Sequence, residues 1–84
     1  MAQARDMSQK EFNAACERRG FRRVYFGYYS LGHIPGIGEP EVYVTNAGDR
    51  RRDQLAYLIA ERKRYEEKAM RLAIRRERRL TEDN

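Results

Sequence analysis

The feature that most constrains the fold of this chain is a helical pattern in its C-terminal half that is too long for the remaining residues to cover. Apolar residues recur there at helical spacing and form a broad stripe of Leu55, Leu58, Ile59, Tyr65, Ala69, Leu72 and Ala73. The part of the stripe through Tyr65 is typical of an amphipathic core helix. A helix from Arg50 to Leu80 would span roughly 45 Å, at about 1.5 Å per residue.

The rest of the chain is small in comparison. The 84 residues make one domain, near the lower limit of what folds alone. One short helix and two strands cannot cover a helix of that length. We therefore expect a single α+β domain over residues 8–73, preceded by a disordered N-terminus over residues 1–7. Residues 74–84 are expected to form a projecting or frayed charged helix end and tail.

A shorter helix is predicted near the N-terminus. Ser8 and Glu11 match a capping box, in which each side chain accepts a hydrogen bond from the backbone amide of the other residue. Gly20 follows the helical pattern as a residue that can take positive φ and end the helix. The pattern predicts a helix over about residues 8–19. Its inward positions are Phe12, Ala15 and Cys16.

Two strands are predicted in the middle of the chain, over residues 22–31 and 41–45, because both segments are rich in tyrosine, phenylalanine or valine. Three glycines and two prolines in residues 32–40 indicate a loop between them. Within the loop, Ile34 and Ile37 either form an exposed tip or fold back under the core. The predicted fold class is therefore α+β, ordered α-β-β-α, with an antiparallel two-stranded hairpin packed on the long C-terminal helix.

Seven arginines are predicted to meet at one end of this fold. In a hairpin of two antiparallel strands, the first strand begins beside the point where the second ends, and hence beside the start of the long helix. The seven are Arg18, Arg19, Arg22, Arg23, Arg50, Arg51 and Arg52. Because cations at a helix N-terminus oppose the helix dipole, by about 0.3–1 kcal/mol each, the triplet indicates an anion-binding end for phosphates or carboxylates. The alternative is a solvated, partly salt-bridged surface.

Tyrosines on the strands are the second candidate for partner binding. Alternate strand residues point to opposite faces of a sheet. The set predicted to pack against the helices is Val24, Phe26, Val42 and Val44. The set predicted to face outward is Tyr25, Tyr29 and Tyr43. Exposed tyrosines beside arginines suit protein interfaces and also base stacking on single-stranded nucleic acid. The alternative is that the long helix covers these tyrosines, so that they form part of the core.

Composition argues against catalysis and against membrane insertion. Cys16 and His33 are the only cysteine and histidine, so neither a disulfide nor a Cys/His metal set is expected. The sequence contains no recognisable triad or paired-carboxylate pattern, and we expect no enzymatic activity and no cofactor. Cys16 is predicted to be a small buried hydrophobic residue. The lone cysteine fits a reducing cytosol, so a cytoplasmic location is expected. No apolar run approaches the ~18–20 residues that a membrane span needs, so no membrane contact is expected.

The chain resembles the small accessory proteins encoded by bacteriophages and mobile elements over most of residues 8–70. The resemblance is carried by the segments FRRVYFGYYSLG and AGDRRRDQLAYLIAERKRYEEKA. Within that group, anti-CRISPR proteins are similar in size and in lacking catalytic residues. The resemblance implies a location in the bacterial host cell and an inhibitor that occludes a surface of a host nucleoprotein or nuclease complex. Many anti-CRISPR proteins are acidic DNA mimics, so a basic member would act by steric occlusion or by contact with nucleic acid.

Three functions remain open after this step. The first is a non-enzymatic inhibitor of phage type that binds a host protein or nucleoprotein complex through its arginines and tyrosines. The second is a regulator that binds DNA or RNA. The third is an assembly protein that forms a homodimer or larger oligomer through its long helix. The formal net charge of +5, from 18 basic and 13 acidic residues, favours an anionic partner and hence the first two.

Overall fold

Two helices and a three-stranded antiparallel sheet make up the computed structural model, which describes residues 5–82. Helix α1 spans Gln9–Arg18, and strands β1, β2 and β3 span Arg22–Tyr25, Tyr28–Ser30 and Tyr43–Thr45. Helix α2 spans Arg51–Glu82. The α+β class is confirmed, but the sheet has three strands rather than two. None of the helices in residues 5–82 combines the length and the apolar character needed to cross a bilayer.

The first helix forms as its local sequence signals predict. Ser8 Oγ accepts a hydrogen bond from the Glu11 amide at 3.1 Å, and Glu11 Oε1 accepts one from the Ser8 amide at 3.2 Å. Gly20 follows the C-cap of α1 with a φ of +76°. The predicted inward residues Phe12, Ala15 and Cys16 are all buried. Both ends of α1 and its buried face are therefore confirmed.

The predicted strand over residues 22–31 is instead a tight hairpin. The chain reverses at Phe26 and Gly27, so β1 pairs antiparallel with β2 and β2 pairs antiparallel with β3. Gly27 has a φ of +79°, and a Cβ there would lie 2.8 Å from Asn46 Oδ1. The Asn46 amide also donates to the Gly27 carbonyl at 2.8 Å. The prediction of one continuous strand was wrong because strand propensity does not distinguish a long strand from two short ones joined by a glycine turn.

This reversal changes the predicted faces within residues 22–31, although Tyr25 keeps its predicted side. The register of β1 and β2 shifts between Arg23 and Tyr25, and such a shift moves side chains to the opposite face. Tyr29 was predicted to face outward and is fully buried, whereas Val24 and Phe26 were predicted to face inward and are 38% and 84% exposed. The rest of the face prediction is confirmed: Val42 and Val44 are buried, and Tyr25 and Tyr43 are exposed.

The core lies where α1, α2 and the inner side of the sheet meet. It is made of Phe12, Cys16, Phe21, Tyr29, Leu31, Ile34, Val42, Val44 and Leu58. The rings of Phe12 and Tyr29 meet edge to face, with centroids 5.8 Å apart. In the loop after β2, Ile34 is buried and Ile37 packs against the core. The loop therefore folds back under the core and does not form an exposed apolar tip.

Only the first part of α2 contacts the core. The helix has 32 residues and so measures about 48 Å. Its partly buried residues packed on the core are Leu55, Ile59, Tyr65 and Ala69. Beyond them Met70, Ile74 and Leu80 are 67%, 44% and 71% exposed. The helix continues through Glu82, and residues 83–84 of the predicted tail lie outside the described residues.

Candidate functional site

The seven predicted arginines do not form one cluster. β1 and β3 both pair with β2, so they run parallel to each other, and Arg22 at the start of β1 lies level with Tyr43 at the start of β3. The end of α1 contacts α2 at Arg62, whereas the arginine triplet begins α2 itself. Arg51 and Arg62 are separated by roughly 16 Å along the helix axis. The predicted convergence was wrong because it assumed a single strand where the chain reverses.

The start of α2, predicted as an anion-binding end, already holds a carboxylate of the same chain. Asp6 accepts hydrogen bonds from the backbone amides of Arg51 and Arg52 at 2.8 and 2.9 Å. These bonds, that from Arg52 above all, hold the pKa of the Asp6 carboxyl below its ordinary value. The side chain of Arg50 is exposed beside this cap. The amide groups of Arg51 and Arg52, which a bound anion would need, are therefore already hydrogen-bonded to Asp6.

Two guanidinium groups of the triplet are also engaged within the chain. Arg51 donates to the carbonyls of Asn46 at 2.7 Å and of Met7 at 3.1 Å. Arg52 donates to the carbonyl of Arg5 at 3.0 Å. Residues 5–7, predicted as part of a disordered N-terminus, thus lie against the start of α2, while residues 1–4 lie outside the described residues. These two arginines hold the N-terminal segment in place.

The remaining four predicted arginines occupy three different settings. Arg18 and Arg19 close α1, and the guanidinium of Arg62 donates to the Arg19 carbonyl while lying 5.3 Å from the centre of the Phe21 ring. Arg22 pairs with Glu39 at 2.7 Å, and Glu39 also accepts from Ser30 Oγ at 3.1 Å. The side chains of Arg18, Arg19 and Arg23 are exposed. Arg19 lines a shallow groove together with Arg62, Lys63 and Glu66 of α2.

The net charge of the chain is concentrated in residues 68–80 of α2, which we call the distal helix. This segment contains one acidic residue, Glu77, and six basic residues. The basic residues are Lys68, Arg71, Arg75, Arg76, Arg78 and Arg79. The distal helix therefore carries a net charge of +5, and the rest of the chain contains twelve basic and twelve acidic residues. The sequence predicted a charged helix end over residues 74–84 but did not place it in the binding site, although counting charges along the chain would have indicated it.

Helical geometry sorts the side chains of the distal helix into two sides. At about 100° per residue, five basic positions fall within an arc of about 100°. This basic arc consists of Lys68, Arg71, Arg75, Arg78 and Arg79. The opposite side carries Glu77 and five apolar residues, which we call the apolar side: Ala69, Met70, Ala73, Ile74 and Leu80. Two ion pairs of α2 lie before this segment, between Arg62 and Glu66 at 3.5 Å and between Arg64 and Glu61 at 2.8 Å.

A second candidate surface covers the outer side of the sheet. Tyr25, Tyr28 and Tyr43 lie on it with 73%, 45% and 55% of their surface exposed, and we call these three residues the tyrosine face. The rings of Tyr25 and Tyr28 have centroids 6.3 Å apart. Tyr28 lies on the outer side of the sheet, where Tyr29 was predicted to lie. Recognising Phe26-Gly27 as a hairpin turn would have identified Tyr28 from the sequence.

Cys16 and His33 lie in opposite settings, one in the core and the other on the surface. Cys16 is fully buried, and burial raises the pKa of its thiol to about 11, so the thiol stays protonated near neutral pH. Its predicted role as a small buried hydrophobic residue is confirmed. His33 is exposed. Within residues 5–82, no group of three His, Cys, Asp or Glu side chains lies in an arrangement that could hold a metal ion.

Similarity to known proteins gives no further guidance to the site. Comparison with protein-family models, with curated proteins and with solved structures finds no match to this chain. Two surfaces of the molecule are therefore the candidates for function, the distal helix and the tyrosine face.

Proposed function

We propose that this protein binds nucleic acid and that the distal helix makes the phosphate contacts. The observation that carries the proposal is the position of the charge: a net +5 lies on 13 residues of a helix that extends beyond the core. That segment measures about 20 Å. Duplex DNA presents one negative charge per about 1.7 Å of axis, so a helix of this length can face several phosphates at once.

The chemistry of the basic arc favours phosphate over other anions. Four of its five residues are arginines, whose planar guanidinium groups bind phosphate oxygens in a bidentate manner. The apolar side is a weak match to a lipid surface, because two of its five residues are alanines and none is aromatic. Pairing of two copies through this segment would bring two +5 charges together, which opposes self-association. Nucleic acid offers phosphates to the arginines, and its binding requires neither an aromatic apolar side nor the approach of two positively charged helices.

Fluorescence anisotropy with labelled single-stranded and duplex oligonucleotides tests the proposal. The variant replaces three residues of the basic arc, Arg75→Gln, Arg78→Gln and Arg79→Gln. Each lost phosphate contact should lower the slope of log affinity against log salt by about 0.7–0.9, so the triple variant should lose about 2–3. Affinity at low salt should fall for every oligonucleotide, because phosphate contacts are independent of sequence.

The matched control removes the same charge from the body of the protein. It carries Lys10→Gln, Arg18→Gln and Arg50→Gln, three exposed side chains outside the distal helix. This control should keep its salt slope nearly unchanged, and circular dichroism should show the same helix content in both variants. The proposal fails if the wild-type protein binds no oligonucleotide at low salt, or if the control loses as much slope as the distal-helix variant.

A second candidate function is supported by the tip of the hairpin. Phe26 is 84% exposed and Tyr25 is 73% exposed, and large exposed aromatic residues are typical anchors of protein interfaces. Gly27 and Asn46 fix the turn that carries them. This favours the phage-type inhibitor, in which the tip would dock on a host nucleoprotein complex. Recovery of a multi-subunit nuclease from bacterial lysate by the wild type but not by Phe26→Ser would support it, and equal recovery by both would exclude a role for the tip.

A further inference from the structure

We infer that the tyrosine face stacks on the unpaired bases of single-stranded nucleic acid. This inference rests on the proposed function and names its substrate class. The distal helix alone does not distinguish a duplex from a single strand, since both present phosphates. The tyrosine face does, because paired bases in a duplex are stacked on one another and their faces are inaccessible to a protein ring.

The three rings form a row across the sheet. Tyr25 lies on β1 directly opposite Tyr28 on β2, and Tyr43 lies on β3. Tyr28 pairs with Thr45 and Ser30 with Tyr43, so Tyr28 and Tyr43 are diagonal neighbours, typically about 7–8 Å apart. One ring therefore stands on each strand, and a chain of unpaired bases that crosses the strands would meet them in turn.

The ring faces are available for stacking. The Tyr25 and Tyr28 rings are tilted by 49° with centroids 6.3 Å apart, so they do not cover each other as a stacked pair would. The helices pack on the opposite side of the sheet, around Tyr29 and Val44. The three tyrosine side chains keep large exposed fractions, whereas Ser30 on the same side is fully buried and donates to Glu39 of the following loop.

The support beneath the rings is rigid. The Asn46 amide donates to the Gly27 carbonyl at 2.8 Å, and the Asn46 side chain donates to Asn13 Oδ1 on α1 at 2.9 Å. These bonds tie the hairpin to β3 and to the first helix. A surface held in its binding geometry loses little conformational entropy when a ligand binds, which favours binding by stacking.

The charge of the chain favours nucleic acid over a protein as the occupant. Arg23 pairs with Tyr29 and so belongs to the other side of the sheet, and on the outer side Arg22 forms an ion pair with Glu39 at 2.7 Å. The positive charge that complements the row therefore comes from the distal helix, which adds a net +5 to the same chain. A partner that carries both flat aromatic groups and regular negative charge matches the two surfaces together. Single-stranded DNA or RNA is such a partner, and arginine adds stacking and cation–π contacts to bases.

The test compares three variants by anisotropy with a fluorescent oligothymidylate of about 20 nucleotides and with a duplex of the same length. Tyr25→Leu combined with Tyr43→Leu keeps apolar bulk but removes two rings. Because stacking contributes about 1–3 kcal/mol per base, equivalent to about 5- to 150-fold per ring, the double variant should lose at least about 20-fold for the single strand. Its salt slope and its duplex binding should stay close to those of the wild type.

Two controls keep the interpretation specific. The double variant Tyr25→Phe with Tyr43→Phe keeps both rings and should retain single-strand binding. Tyr57→Leu removes a tyrosine of similar exposure, 52%, from α2 and should have little effect. Urea denaturation of every variant checks that the fold is intact.

The outcomes separate this inference from the proposed function. If the leucine double variant binds the oligothymidylate as well as the wild type does, while the distal-helix variant is impaired, the inference is overturned and the proposed function stands. If the wild type binds neither oligonucleotide, the proposed function itself fails. If the leucine variant loses a captured protein partner but keeps full single-strand affinity, the tyrosine face is a protein interface and the inference is again overturned.

Discussion

Replacing Tyr29 with phenylalanine should stabilise the protein, because the hydroxyl of this core residue is buried without a hydrogen-bond partner. The side chain is fully buried, and its ring packs edge to face on Phe12 at 5.8 Å between centroids. Its hydroxyl has no partner among residues 5–82. Burial also raises the pKa of Tyr29 above its ordinary value, since the phenolate would be poorly solvated.

The expected magnitude follows from two opposing terms. A buried polar group without a partner costs about 1–3 kcal/mol, and removing the hydroxyl recovers most of that cost. The lost oxygen also takes away a few van der Waals contacts of about 0.1–0.2 kcal/mol each. The net expectation is a stabilisation of about 1 kcal/mol, which for a domain of this size corresponds to a rise in Tm of about 4–8 °C.

Urea denaturation followed by circular dichroism measures the effect. With a slope of about 1–2 kcal/mol per molar urea, the midpoint of Tyr29→Phe should rise by about 0.5–1 M while the slope stays constant. Tyr28→Phe is the control, because its neighbouring ring is 45% exposed and its hydroxyl can reach water. If Tyr29→Phe is less stable than the wild type, the hydroxyl has a partner in solution, such as a bound water, and the argument from an unpaired group is refuted.

Two further predictions concern the turn of the hairpin and the N-terminal segment. Gly27→Ala should destabilise the protein by more than about 1–2 kcal/mol, because alanine is strained at a φ of +79° and its Cβ would displace Asn46. Gly36→Ala is the control, because Gly36 has a φ of +85° and open space around it. This variant should lose only the free energy that alanine loses at positive φ. Equal urea midpoints for the two variants would contradict the role of Asn46. Asp6→Asn should lower Tm at neutral pH, since the carboxylate caps α2. The folded-state pKa of Asp6 is below the ordinary 3.8, so this stabilisation is complete above about pH 4 and is lost as pH falls through the lowered value. The difference in Tm between wild type and Asp6→Asn, measured by thermal denaturation, should therefore close in acid, and a difference independent of pH would rule out the cap.

Local signals made the two helices predictable from the sequence. Ser8 and Glu11 form their capping box three residues apart, and Gly20 ends α1, so all the interactions involved are between near neighbours. The spacing of the apolar residues likewise predicts α2 without information from the rest of the chain. Such features depend little on where the rest of the chain goes.

The sheet was less predictable because strand propensity carries no information on direction. Tyrosine, valine and phenylalanine suit one long strand as well as a hairpin, and only Gly27 marks the reversal. Missing it moved Tyr29 to the wrong face and brought Arg22 to the wrong neighbours. One topological error therefore misplaced both Tyr29 and Arg22.

No spacing pattern in the sequence predicts the contact between Asp6 and the start of α2. The carboxylate bonds amides that are 45 and 46 residues away, and no local pattern marks such a pairing. The arginine triplet looked unfavourable at a helix start because its compensating acid was distant in sequence. Asp6 supplies the missing negative charge at the helix dipole, and the two guanidinium bonds to backbone carbonyls show that the triplet also has a structural role.

The division of charge explains how so small a protein can be stable and still attract an anion. Outside the distal helix, the twelve basic and twelve acidic residues balance, so self-repulsion within the folded body is small. The distal helix extends about 20 Å, roughly twice the screening distance of about 8–10 Å in physiological salt. Its excess charge therefore acts weakly on the body, and its exposed arginines keep their hydration. Added salt should therefore weaken the binding of an anionic ligand to this helix and leave the free energy of unfolding nearly unchanged. The reason is that the charges available for binding lie on the distal helix, whereas the charges of the folded body balance one another.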